Sequence, residues 1–158
     1  MRTRVTRIMA TSAFGLLLTV AGAGTALAGG ATVSTADHEP YGDHLVDGKG
    51  MSLYLFEADE GGMSSCYDAC ATAWPPLMTS GAPQAAGKAK DSLLGTVKRK
   101  DGSMQVTYGG WPVYYFIKDK AAGDAKGQGI DGFGAEWYLV GPDGKTVEKE
   151  KQEKKSTY

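Results

Sequence analysis

The sequence predicts an all-β or mainly β protein, two related antiparallel β units packed as one compact domain with short helical turns. Three observations carry this expectation. Short runs rich in β-branched and aromatic residues recur between residues 41 and 142. Glycine and proline interrupt the chain too often for long helices. The pattern Tyr-x-Phe-x-x-Asp occurs twice, as Tyr54, Phe56 and Asp59 and again as Tyr114, Phe116 and Asp119.

The chain opens with a segment that does not read as part of a fold. Arg2, Arg4 and Arg7 precede a mostly apolar stretch from Ile8 to Val20, and small residues follow up to Ala26-Leu27-Ala28. A positive region, a short apolar region and a small-x-small site make a secretory signal peptide over residues 1–28, with cleavage expected after Ala28. Adjacent arginines are absent, so export of an unfolded chain is expected, which disfavours cofactor loading before export. No later run is long and apolar enough to span a bilayer.

The whole chain carries a formal charge of −1, and losing the three leader arginines leaves about −4. No basic stripe marks a nucleic-acid footprint.

Residues 29–40 lack an apolar period and are expected to form a flexible lead-in to a domain covering residues 41–142. Within it, Leu53 to Phe56, Met104 to Tyr108, Val113 to Ile117 and Trp137 to Val140 are the expected strands. Asp101-Gly102 between Leu94–Lys100 and Ser103–Tyr108 signals a hairpin, and Gly109-Gly110 a second tight reversal before Trp111. A short helical turn fits near Ser65 to Ala73. Gly141-Pro142-Asp143-Gly144 is a turn signal, and residues 143–158 are expected to be a charged, solvated tail.

In an extended strand, Tyr and Phe two positions apart share one face, while Leu55, Tyr115 and Ile117 point the other way. This favours two units packed about a pseudo-twofold over a long repeat array, which needs about three or more copies. Asp59 and Asp119 stand where each apolar run stops, suited to accepting hydrogen bonds from turn backbone. A carboxylate-dependent hydrolase is the alternative, and it requires the two side chains to converge across a cleft.

Cys66 and Cys70 are the only cysteines, and in an oxidising compartment a lone pair is expected to form a disulfide. Four-apart cysteines on a regular helix stand too far apart for ideal geometry, so the link should pinch a turn or a distorted helix end. The spacing is one residue longer than a thioredoxin dithiol and lacks the haem-attachment histidine. A redox or copper-handling role, drawing on Cys66, Cys70, Met63, Met78, Met104 and His44, remains an alternative. No metal site or cofactor is assigned. His38 falls in the lead-in, and His44 is read as a surface residue.

Tyr54, Tyr67, Trp74, Trp111, Tyr114 and Trp137 are the candidate recognition aromatics, because they cluster in segments bounded by glycine and proline. The opposing possibility is that several of them build the core. The loop Gly123 to Gly129 lacks the residues of a phosphate loop and reads as a turn packing against the first repeat.

Taken together, Leu53 to Asp59, Ser65 to Leu77, Trp111 to Asp119, Gly127-Gln128-Gly129 and Trp137-Tyr138 resemble a bacterial secreted-repeat and predicted-lipoprotein family with two Tyr-x-aromatic-x-x-Asp motifs. The resemblance covers roughly residues 44 to 140. It implies a secreted or envelope location, no established reaction and no catalytic residues. Lipid-anchored members would need a cysteine near Leu27-Ala28-Gly29-Gly30, and this chain has none there, which favours free secretion.

The expected function is therefore a secreted or envelope-associated binding protein, with an envelope polymer or protein as partner. A structural envelope component is a further alternative. The sequence does not set the oligomeric state.

Overall fold

The computed structural model describes residues 29–147. The signal peptide expected at residues 1–28, and residues 148–158 of the expected tail, lie outside the described residues.

Among the described residues, nine short strands, one α-helical turn and one 3-10 turn (Asp91–Leu93) follow the chain: β1 (Thr32–His38), β2 (Gly42–Asp47), β3 (Tyr54–Phe56), α1 (Ala69–Ala73), β4 (Gln84–Ala85), β5 (Leu94–Lys98), β6 (Met104–Tyr108), β7 (Trp111–Pro112), β8 (Ile130–Gly132) and β9 (Ala135–Leu139). They form three three-stranded sheets, ordered β2-β1-β4, β3-β9-β8 and β5-β6-β7. The domain is mainly β, as the sequence predicts. The Asp101-Gly102 reversal closes the β5–β6 hairpin, with Arg99 N–H donating to the Ser103 carbonyl at 2.8 Å. Gly109 and Gly110, at φ 58° and 85°, supply the two left-handed residues that a tight β6–β7 turn requires.

Two segments depart from expectation. Residues 32–38, expected within a flexible lead-in, form β1, which pairs with β2 from Val33↔Asp47 to His38↔Gly42 and with β4 on its other side. Its sequence, Thr-Val-Ser-Thr-Ala-Asp-His, is held by backbone bonds on both flanks and sends only Val33 fully into the core. That is why no apolar period announces it. At the other end, residues 143–147 turn back instead of leaving the domain. Gly141 N–H donates to the Lys145 carbonyl at 2.7 Å, Val147 N–H to the Leu139 carbonyl at 2.9 Å, and Val140 bridges Thr146.

The expected strand Val113 to Ile117 is extended but pairs irregularly. Tyr115 N–H donates to the Pro75 carbonyl at 2.7 Å and Ile117 N–H to the Ala73 carbonyl at 2.9 Å. Facing prolines have no N–H to return, so the ladder stays broken.

The two units relate by a pseudo-twofold, visible in matched bonds. Tyr54 and Tyr114 exchange backbone hydrogen bonds at 2.8 and 2.9 Å. Leu45 N–H reaches the Val140 carbonyl at 2.8 Å just as Val106 N–H reaches the Leu77 carbonyl at 2.9 Å. Glu57 N–H bonds Glu136 as Ile117 N–H bonds Ala73. Each motif segment therefore pairs with the closing segment of the other unit: β3 with β9, and residues 113–117 with residues 73–77.

Alternation along these segments splits the core in two. Leu45, Leu53, Leu55, Val106 and Val113 belong to a mostly aliphatic cluster. Tyr54, Phe56, Trp74, Tyr114, Phe116 and Trp137 belong to an aromatic one.

Candidate functional site

The motif side chains meet at the pseudo-twofold. Tyr54 Oη donates to Asp119 Oδ2 at 2.6 Å, and Tyr114 Oη donates to Asp59 Oδ2 at 2.6 Å, so each tyrosine serves the aspartate of the other copy. The remaining carboxylate oxygens hold their own loops, Asp59 Oδ1 accepting from Ser65 N–H at 2.7 Å and Asp119 Oδ1 from Lys126 N–H at 2.9 Å. The loop role expected of both aspartates is thus present, together with a cross-unit role that linear spacing does not reveal. Burial and the neighbouring carboxylates push both phenols far above the ordinary tyrosine range. Burial also raises the Asp59 carboxyl, against the downward pull of its Tyr114 and Ser65 bonds and the Arg99 charge.

Four rings stack between the units in the order Phe56, Trp137, Trp74, Phe116. Centroid separations are 4.1 Å for Phe56–Trp137, 4.0 Å for Trp137–Trp74 and 4.1 Å for Trp74–Phe116. Tyr54 meets Trp74 edge-on at 5.4 Å, and Tyr114 meets Trp137 edge-on at 5.2 Å. Gly127 presses against this cluster: a β-carbon there would lie 2.8 Å from both Trp74 and Tyr54, so the glycine-rich loop does pack on the first unit. Four of the six candidate recognition aromatics, Tyr54, Trp74, Tyr114 and Trp137, are at most 2% exposed. They are core residues, because the stack that joins the units takes up their faces.

Tyr67 is half-buried, and cations engage its ring, with the Arg99 guanidinium 4.4 Å and Lys100 Nζ 4.3 Å from the centroid. Arg99 is itself buried, donating to Gln105 Oε1 at 2.6 Å, Ser64 Oγ at 2.9 Å and the Cys66 carbonyl at 2.8 Å. The Cys66–Cys70 disulfide spans 5.2 Å between α-carbons and enters the first turn of α1. Asp68, between the cysteines, has a left-handed φ of 53°. The link therefore sits at a distorted helix start, as the spacing predicts, and it ties up the thiolates a copper site would draw on. Among the described residues, no group of three or more His, Cys, Asp or Glu side chains is placed to hold a metal ion.

His44 is fully buried, contrary to its reading as a surface residue. It occupies the middle of β2, with Nε2 3.1 Å from Ser52 Oγ and Nδ1 3.2 Å from the Gly42 carbonyl. Ser52 Oγ donates onward to the Asp124 carbonyl at 2.6 Å. Sequence alone could not separate such a histidine from a surface one, because the Ser52 hydroxyl it meets is itself held by the Asp124 carbonyl, 72 residues further along the chain from Ser52.

Trp111, half-buried, lines an open cleft of about 790 Å³ together with Tyr41, Asp43 and the turn from Gly141 to Val147. That turn is held from behind, where Tyr108 Oη donates to the Pro142 carbonyl at 2.8 Å and the backbones of Gly109 and Gly144 touch. Sequence reasoning singled out Trp111 and missed Tyr41 and the turn. The Gly-Pro-Asp-Gly signal marks a reversal, and only Val147 hints that the chain then returns to the core.

Fold and geometry define a two-copy β protein whose repeated motif is the joint between its copies. The chain belongs to the Lipoprotein_15 family, described as a secreted repeat of unknown function, whose two matched copies cover residues 35–78 and 95–141, more than half of the chain. The protein is secreted, in keeping with that family. No curated protein and no solved structure matches it.

Proposed function

We propose that the protein is a non-catalytic binding module for a component of the cell envelope, polymer or protein, and that it engages this component through the cleft between Tyr41 and Trp111. The observation behind the proposal is where the polar motif groups go. Asp59, Asp119, Tyr54 and Tyr114 are buried and hydrogen-bonded to one another across the unit boundary, which removes the carboxylates a hydrolase would turn towards a substrate. The cleft, by contrast, joins an accessible indole and phenol to polar side chains on a braced turn, the composition expected of a binding site.

The test is co-sedimentation of the purified secreted protein with isolated cell envelopes. Trp111→Ala and Tyr41→Ala should each weaken retention by about tenfold or more, while Tyr67→Ala should leave it unchanged. Retention that ignores both cleft substitutions would overturn the proposal.

A further inference from the structure

From the same cleft, and resting on the binding role just proposed, we infer the class of ligand: an uncharged saccharide, taken as a short stretch of sugar rings. Charge narrows the choice first. The lining contains Asp43, Asp143 and Lys145. Asp43 Oδ2 is paired with Lys88 Nζ at 2.5 Å, so the local sum is close to zero. With Lys145 in the wall and Lys88 on Asp43 balancing the two carboxylates, the cleft has no net charge to hold a polyanion, and a cationic ligand would have to compete with the lysine already on Asp43.

Shape and donor chemistry narrow it further. Half-buried Trp111 and Tyr41 bring an indole and a phenol to the lining, side-chain types whose rings suit the C–H face of a pyranose. Carboxylates are acceptor-only groups, and with the Thr146 hydroxyl they match the hydroxyl rim of a sugar.

An extended peptide would instead seek an unpaired strand edge. The turn's ladder, Gly141 N–H to the Lys145 carbonyl and Val147 N–H to the Leu139 carbonyl around the Val140–Thr146 bridge, takes up the inward-facing groups and leaves Thr146 alone among the described residues of the turn's returning arm to face outward, where strand addition needs a run of such groups. A volume of about 790 Å³ falls within the usual range for a small-ligand site. Bracing by Tyr108 Oη and by the Gly109–Gly144 contact fixes the turn before any ligand arrives.

Tryptophan fluorescence tests the inference directly. The chain has three tryptophans, and Trp74 and Trp137 are sealed in the core, so a ligand in the cleft should be sensed by Trp111. The intact secreted protein is titrated with neutral oligomers of N-acetylglucosamine, glucose, mannose and arabinose. Polygalacturonate, spermine and a mixed-sequence decapeptide serve as charged and peptide comparators.

Expected is a saturable change with at least one neutral oligomer, persisting in about 0.5 M salt, lost in Trp111→Phe and weakened about tenfold in Tyr41→Ala. The responding oligomer should also displace the protein from envelopes. If no neutral oligomer responds, or the polyanion, polyamine or peptide is preferred, the saccharide assignment is wrong. Envelope retention that still depends on Trp111 would then leave the binding role standing, and retention independent of Trp111 would remove both.

Discussion

Removing one hydroxyl at the centre of the molecule should reveal how the two copies are joined. Tyr54→Phe keeps the ring against Trp74 but deletes the 2.6 Å bond to Asp119 and the acceptor for Gly127 N–H at 3.2 Å. A buried bond to a charged group contributes about 1.5–3 kcal/mol, and with the second contact the expected loss is about 2–3 kcal/mol. Urea unfolding should show a midpoint lowered by about 0.7–3 M, for slopes of about 1–3 kcal/mol/M. The sharper measurement is a pair of double-mutant cycles. Tyr54→Phe combined with Asp119→Ala should show a coupling of about 1.5–3 kcal/mol, because the two residues share a bond across 65 positions. Tyr54→Phe combined with Asp59→Ala, within one motif copy, should be additive to within about 0.5 kcal/mol. Coupling as large within the copy as between copies would refute the cross-unit exchange.

Three further outcomes follow from the same geometry. Trp137→Ala removes a ring stacked on both Phe56 and Trp74 and the indole bond to the Gly132 carbonyl; it should cost about 3–5 kcal/mol by urea unfolding, against less than about 1 kcal/mol for Trp111→Ala. Replacing Cys66 and Cys70 together by alanine opens a five-residue loop and should lower stability by about 2 kcal/mol, read from the same unfolding curves. Burial holds the His44 imidazole below its usual pKa, although the Gly42 carbonyl favours its proton. The unfolded chain therefore takes up a proton first, so the His44 contribution is complete above about pH 6.5 and shrinks as pH falls below it. That part of the pH dependence should be absent from His44→Gln, measured by unfolding at several pH values.

The short β6 strand, both hairpin turns and the helical turn at the cysteines were legible because local chemistry decides them. β-branched residues mark β6, and glycines stand where left-handed backbone is needed. β1 was not legible, since its stability comes from two neighbouring strands and a single core contact at Val33. The repeated Tyr-x-Phe-x-x-Asp pattern revealed two units and the shared face of Tyr54 and Phe56. It could not reveal that Tyr54 answers to Asp119 and not to Asp59, because strand partners are chosen in space. The same blindness explains the aromatics: counting them identified the important side chains, but burial divides Trp111 from Trp74 and Trp137.

The crossed pairing of β3 with β9 and of residues 113–117 with residues 73–77 makes the protein a dimer whose partners happen to share one polypeptide. A fragment ending after Leu77 would carry a bare strand edge and one exposed indole face, and could satisfy both by meeting a second fragment about a twofold axis. Neither copy should melt while the other stays native, because each supplies strand partners to the other. The chain should therefore lose its structure in one cooperative step, unlike the end-to-end fraying of a solenoid, and any lineage that drops one copy must regain the other by self-association.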